Sequence, residues 1–285
     1  MQRIQTMVIT MHRINPGQIT VIAAKEFRDR IRSRWVLAAA VIFTLFALVI
    51  AYFGSAQAGA IGFKGMDLAI ASLVSLVIYL VPLISLILGY DAFVGERERG
   101  SLDLLLTMPI TRLELLLGKY LGLGLALAIS TFAGFGLAGI VLSYGIGLPA
   151  LLHYAVFMIT TLLMGLSFLS LALLLSAFCN SRVSASGAAI VLWFFFVLVY
   201  DLVLIGILVA VGGGFVGRIF PLLLFLNPTD IFRIINVYNL DEVRSLYGLA
   251  TVLPQTLAST WILCLAMMLW IIVPLVIAYK LLRDM

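Results

Sequence analysis

The chain alternates long apolar runs with short polar stretches. Six runs stand out, at about 35–53, 69–90, 113–143, 151–178, 185–210 and 257–280. Each is continuously apolar and lacks the two-residue alternation of a barrel strand. A helix crossing roughly 30 Å of hydrocarbon takes about 20 apolar residues. Lipid offers no water to backbone groups, so each run predicts a membrane-spanning helix. The third run is long for one crossing, which predicts tilt or extension past the bilayer.

Two further segments carry a helical rhythm without being long enough or apolar enough to span. In 15–34, Asn15 can cap a helix and Pro16 suits its first position. Ile19, Ile22, Ala23, Phe27 and Ile31 recur at three- and four-residue steps, while Lys25, Glu26, Arg28, Asp29 and Arg32 fall mainly on the other side. This predicts an amphipathic helix in the membrane interface, either a plain juxtamembrane element or one with a further role. Residues 1–34 then form a tail and interfacial helix, and 35–285 the membrane domain. The segment 211–256 opens with Val211 and three glycines ending at Gly214, and Asn227-Pro228 is a helix-start signal. Ile231, Ile234, Ile235 and Tyr238 share one face, with Asp230 and Arg233 away from it. Short amphipathic helices that rest on the outer surface or re-enter it are expected. They either cap the membrane domain or receive an outside partner, with Asn227, Pro228, Asp230 and Arg233 as contact residues.

Composition sharpens the class. Of the 285 residues, 64% are hydrophobic and 11% charged, and the mean hydropathy is +1.19. A soluble domain carries about 25% charged residues, so a soluble fold is excluded. Disorder, which needs low hydrophobicity, is excluded too. The net charge of +5 is unevenly placed: 14 of the 18 Lys and Arg fall on the side of the termini and four on the other. That asymmetry puts both termini in the cytoplasm and removes a nucleic-acid reading. Cys179 and Cys264 lie near opposite membrane faces and are not expected to pair. The first 14 residues lack the apolar core of a signal peptide, so no cleavage is expected; Met7 and Met11 are alternative starts.

The densest charge cluster after the N-terminal region runs from Gly95 to Arg112. Leu102, Leu105 and Leu106 have helix spacing, Pro109 stops that helix, and Thr111 with Glu114 has capping-box spacing for span three. A short crosswise helix at about 97–109 is expected, exposing three leucines and suited to a groove on a cytoplasmic partner. A merely solvated loop accounts poorly for those leucines. Gly134, Gly136 and Gly139 have the spacing of a dinucleotide fingerprint, but they lie inside a span and not between strand and helix. With Gly118 and Gly122 they read as sites of close helix packing. No GxxxxGK[ST] phosphate loop occurs, so the chain is not itself an ATPase. Asp201 is the acidic residue deep in a span, where a charge costs roughly 2.5–3.5 kcal/mol on insertion scales. It lines a substrate path or dimer seam, or it is hydrogen-bonded to a neighbouring helix. Cys264, Met267, Met268, Met158 and Met164 are soft ligands by type, but without paired spacing they read as core filling. His12 and His153 are too far apart to share a site, and no catalytic constellation is present, so neither a metal site nor enzymatic activity is expected.

The pattern Glu98-x-Gly100-x-Leu102-Asp103-x-Leu105-Leu106-x-x-Pro109-x-x-Arg112, followed by Gly118-Lys119, resembles the signature of ABC-2 type transporter permeases. That family usually has Glu where this chain has Asp103. Lys25-Glu26-Phe27 ahead of Arg32–Trp35 is similar to the family's interfacial elbow helix, and the resemblance covers nearly the whole chain. The runs 27–35 and 226–233 narrow it to permeases associated with copper-site assembly in nitrous oxide reductase.

The resemblance implies an all-α, six-span, exporter-like (type V) permease in a bacterial inner membrane, working as a homodimer. It implies a separate ATPase that binds ATP and Mg, no cofactor on this chain, and a periplasmic accessory protein. Glu96, Arg97, Glu98, Gly100, Leu102, Asp103, Leu105, Leu106, Pro109 and Arg112 would couple to the ATPase, with Cys179–Ser184, including Arg182, as a second contact. A generic exporter of a lipid, glycan or drug, a permease that moves no substrate, and an ATP-independent channel remain alternatives.

Overall fold

The computed structural model describes residues 14–53, 66–146, 148–211, 222–237 and 259–284. Every regular element among them is helical. The six apolar runs become Trp35–Phe53, Met66–Gly89, Arg112–Ile146, Leu148–Phe178, the interrupted helix from Arg182 to Val211, and Thr260–Asp284. Five of these satisfy the length and hydropathy of a membrane span over their described residues; the first is bent by 63° from the helix before it. The third is one 35-residue helix. At 1.5 Å per residue that is roughly 50 Å, well beyond the hydrocarbon thickness, so it projects past one surface.

Span four runs through the centre of the molecule. Phe157 and Phe168 on it, Phe43 on span one, Leu73 and Val77 on span two, and Phe135 on span three are fully buried. Phe43 stacks on Phe135 with ring centroids 5.0 Å apart, and Phe157 meets Phe135 edge-on at 5.5 Å. Between helices in lipid there is little hydrophobic drive, so close backbone approach matters. A Cβ on Gly134 would lie 2.5 Å from the Phe43 Cβ, and one on Gly139 2.5 Å from the Tyr154 ring. Gly136 faces open space. The glycine pattern is therefore a packing surface at two of its three positions.

The interfacial helix forms over Pro16–Arg32 with the expected start: the Asn15 side chain accepts from Gly17 N at 2.9 Å and Pro16 opens the helix. It lies against span three, where Gly118 and Gly122 receive it. A Cβ at Gly118 would sit 2.6 Å from Ile22 Cβ, and one at Gly122 2.5 Å from the Ala23 carbonyl. One expectation is corrected here. Glu26 belongs to the buried face beside Ala23, because span three offers it a cation. The turn into span one is made at Arg34, whose φ of 61° is the left-handed region that a non-glycine residue occupies at a cost.

Both described chain ends sit at the same end of the bundle, called here the near end. Asn15 N donates to Glu114 at the start of span three, and Arg112 reaches the carbonyls of Leu282 and Arg283 at the close of span six.

At the far end, Pro228–Val237 begins where Asn227-Pro228 predicts, with the Asn227 side chain accepting from Thr229 N at 3.0 Å. The expectation that Asp230 stands apart from the apolar face is corrected, since it is buried with the isoleucines; Arg233 remains partly exposed. The helix is inserted among spans two, four and six. Asn227, Thr229 and Asp230 are buried with Ile231 and Phe232. Tyr238, Gly212–Gly214 and the rest of the expected outer segment lie outside the described residues.

Candidate functional site

Between spans two and three the chain forms two short helices, Val94–Glu98 and Ser101–Thr107, in place of the single helix expected at 97–109. Gly100 separates them with φ 68°, a conformation glycine adopts without Cβ strain. Met108 leaves the second helix in an extended conformation just before Pro109. The leucines do not all face outward. Leu102 is buried, Leu105 half-buried, and Leu104 is exposed at 68%. Thr107, Met108 and Pro109 extend that exposed surface. Asp103 and Leu106 lie in the helix, with side chains outside the description.

Two ionic clusters fix this hairpin to the bundle. Lys119, seven residues into span three, is almost wholly buried. Its Nζ is 2.7 Å from Glu96 Oε1 on the first short helix and 2.9 Å from Glu26 Oε1 on the interfacial helix. It also lies 5.6 Å from the Phe93 ring centroid. Lys25 stands 3.4 Å from Glu26 Oε1 and 3.9 Å from Glu96 Oε1 at the exposed edge. Burial alone would raise the Glu26 carboxyl, but the Lys119 charge and hydrogen bond, aided by Lys25 and Arg30, hold it below the ordinary carboxylate range.

Arg182, the first residue of span five, makes the second cluster. Its Nε lies 2.9 Å from Asp91 Oδ1 and 3.4 Å from Glu98 Oε2, and its backbone N donates to Glu98 Oε1 at 2.8 Å. Arg182 Nη2 also donates to the Gly95 carbonyl at 3.2 Å. A side chain on Gly95 would collide with Asp91 and Arg182. Arg97 donates to the Cys179 carbonyl at 3.0 Å and the Ala177 carbonyl at 3.4 Å, so it covers the carbonyl end of span four. Ser176 Oγ accepts from Phe93 N at 2.8 Å and Val94 N at 3.1 Å.

The capping box at Thr111 and Glu114 is present: Thr111 N donates to Glu114 Oε2 at 2.6 Å, and Glu114 N to Thr111 Oγ1 at 3.2 Å. Glu114 Oε1 additionally takes Asn15 N at 2.6 Å, and Gln18 Nε2 donates to the Pro109 carbonyl at 2.9 Å. The structure therefore brings Glu96, Arg97, Glu98, Gly100, Leu102 and Arg182 into one assembly with the neighbouring spans. Arg112 closes the C-terminal end of span six instead.

The other expected site residues meet at the far end. Arg233 divides its guanidinium between Asp230 Oδ1 at 2.7 Å and Asp201 Oδ2 at 2.8 Å. Asp201 thus has a neighbouring helix as its partner. Asn227 Nδ2 donates to the Phe196 carbonyl at 2.9 Å and to Asp230 Oδ2 at 3.1 Å. Asn227 and Asp230 are enclosed and satisfied inside the chain, so they present nothing outward.

Sequence reasoning missed Glu26, Asp91 and Lys119 as members of the near-end assembly. A signal existed for two of them. Position 26 continues the 19, 22, 23 spacing of the packing face, and a carboxylate there demands a cation. Lys119 interrupts an otherwise apolar run, and such a residue requires a partner. Asp91 had no comparable cue.

Comparisons with known proteins fit this arrangement. Residues 20–285 match the family described as ABC-2 family transporter protein. The chain is 45% identical over 271 residues to a probable ABC transporter permease protein NosY of Pseudomonas aeruginosa, covering 93% of this chain and 98% of that one. It is 44% identical over 274 residues to the NosY protein of Stutzerimonas stutzeri, covering 94% and 98%. A shorter match, 37% over 93 residues, covers 32% of this chain and 23% of a probable multidrug ABC transporter permease, YbhR, of Escherichia coli. Six apolar helices, a hairpin bearing the Glu98-to-Arg112 pattern and a family match over nearly the full length converge: the chain is a multi-pass membrane protein and belongs to the ABC-2 family of ABC transporter permeases.

Proposed function

We propose that the chain is the membrane subunit of an ATP-driven complex that serves maturation of the copper centres of nitrous oxide reductase. Two copies of it span a bacterial inner membrane with both termini in the cytoplasm. A separate ATPase holds ATP and Mg and docks at the near end; a periplasmic protein engages the far end. The observation that carries the ATPase reading is the near-end hairpin. Glu96, Arg97 and Glu98 are tied to Lys119, the end of span four and Arg182, while Leu104, Thr107 and Met108 are left outward beside the exposed Arg99. A rigid mount with an apolar tip is what a force-receiving contact needs. Identity to the NosY proteins over more than nine-tenths of the chain supports the nitrous oxide reductase assignment.

A mechanical variant of this reading, in which no substrate crosses the chain, is favoured by one observation. The far-end helix is tied by Arg233 to Asp201, the acid that would otherwise mark a polar path.

The test is a mild-detergent pull-down of the tagged chain from its native host, with mass spectrometry. An ATPase and a periplasmic protein at matching stoichiometry support the full reading. An ATPase alone returns the cargo to a generic export substrate. No ATPase, under conditions that preserve a known transporter complex, removes the coupling assignment.

A further inference from the structure

The joint at the far end has one positive charge for two acids. Arg233 Nη1 lies 2.7 Å from Asp230 Oδ1, and Nη2 2.8 Å from Asp201 Oδ2. Asp230 is enclosed, with 1% of its side chain exposed, and both its oxygens accept: Oδ1 from Arg233 and Oδ2 from the Asn227 amide at 3.1 Å. Asp201 differs, because its Oδ1 is buried and meets no donor. The two carboxyl groups lie within hydrogen-bonding reach of each other. An ionised carboxyl only accepts, so two of them can bond only when one carries a proton.

The elements packed against the helix Pro228–Val237 supply no further cation among the described residues. Span two brings Tyr79 near Arg233, and span five brings Tyr200 near both acids. The Tyr200 hydroxyl donates to the Leu223 carbonyl at 2.6 Å. Span four offers Thr160, which pairs with Asn236, and span six offers Trp270, which donates to the Phe225 carbonyl. All four are uncharged at neutral pH. The near-end joint differs, because Lys25 stands beside Glu26 and Glu96 as a second cation. Two like charges repel strongly where water is excluded, so the pair of acids keeps one proton. Such a proton belongs to the pair and not to either acid. It fills the empty Asp201 oxygen and leaves one carboxylate to balance Arg233. Asp201 is the more open of the two acids, with 25% of its side chain exposed in the single chain, so the proton exchanges with water there.

We infer that the far-end joint is a proton-sensitive latch: Asp201 and Asp230 share one proton, and its release to water loosens Pro228–Val237 from span five. The helix stays inserted through its neutral contacts, Asn236 with Thr160 and Asn227 with the Phe196 carbonyl, so the change is confined to the joint. The folded joint binds a proton that the unfolded chain does not hold at neutral pH. Its stabilisation is therefore present in acid and lost as the medium at the far end turns alkaline. Glu26 at the near end has the opposite sign. The latch depends neither on the ATPase nor on the copper reading.

The test is infrared spectroscopy of the full-length permease in lipid nanodiscs, with the partners it retains on purification. A protonated carboxyl has a carbonyl stretch that a carboxylate lacks. The unmutated chain shows this band at neutral pH and loses it on alkaline titration. Asp201→Asn and Asp230→Asn each lose it at neutral pH, because the remaining acid ionises against Arg233. Thermal unfolding gives a second reading. The unmutated chain loses stability as pH rises above neutral, while Asp201→Asn, whose amide donates where the proton sat, keeps it. Absence of the band from the unmutated chain at neutral pH overturns the latch, as does a band that survives in either variant. An equal loss of stability with pH in Asp201→Asn and the unmutated chain overturns it too. So does an Asp201→Asn chain that assembles at no pH, since its amide supplies the donor that the shared proton would.

Discussion

Lys119 is the residue on which the near end depends. It carries one positive charge between two buried carboxylates on separate elements, each within 2.9 Å. Removing one partner of a buried ionic cluster costs about 3–5 kcal/mol, because the remaining charges stay desolvated. Lys119→Met therefore lowers thermal stability in detergent, and protease protection of residues 16–32 at neutral pH is weaker than in the unmutated chain. Lys119→Arg retains charge but not the compact ammonium geometry, so partial recovery is expected. Acid acts on the same contact through Glu26. Its folded-state pKa lies below the ordinary carboxylate value, so its contribution is fully present above that value and lost as pH falls through the depressed one. Docking of the interfacial helix, followed by protease protection of 16–32, holds from neutral pH down to ordinary carboxylate pH and fails only in stronger acid. In Lys119→Met that failure moves to higher pH.

At the scale of the element, the hairpin separates what anchors from what protrudes. Gly100 at φ 68° has open space around its Cβ position, so Gly100→Ala is opposed by backbone conformation and not by crowding. A left-handed non-glycine residue costs roughly 1–2 kcal/mol, enough to reorient a seven-residue helix without unfolding the bundle. Gly100→Ala lowers ATP hydrolysis by the reconstituted complex while membrane insertion is unchanged. Leu105→Ala and Glu98→Ala do the same, one by loosening the helix and the other by removing one of the two carboxylates that hold Arg182. Leu104→Asp, on the exposed side, leaves the permease intact and weakens ATPase co-purification. Unaltered hydrolysis and co-purification across all four variants would remove the hairpin from the coupling role.

Across the whole molecule the arrangement is a bundle with an ionic joint at each end. Near the termini, Glu26, Lys119 and Glu96 tie the interfacial helix, span three and the hairpin together. At the opposite end, Asp201, Arg233 and Asp230 tie span five to an inserted helix. Each joint carries two carboxylates on one buried cation, and Lys25 supplements only the first. The far joint has no comparable second cation among its described neighbours. Arg233→Gln therefore leaves two acids facing each other in a low dielectric, and we expect it to lower the yield of assembled complex more than Asp201→Ala does. Comparing the two by size-exclusion chromatography checks that order.

Sequence alone determined the spans, because roughly 30 Å of lipid imposes a length and an apolarity that any reader of residues can count. It also determined the local starts at Asn15-Pro16, Asn227-Pro228 and Thr111–Glu114, since capping acts within one helical turn. Glycines 118 and 122 were legible as packing positions, though not the helix they receive. Tertiary structure decided which side of a short helix is inside. Glu26 and Asp230 look solvent-facing by type, and each is buried because a cation distant in sequence, or one turn away but shared with another span, lies beside it. Leu102, expected outward, is buried while Leu104 is exposed, for the same reason: exposure in a membrane protein depends on the neighbouring span, while hydrophobicity only separates lipid from water. A charge pattern states how many partners a chain must find; only the packing of distant helices states which.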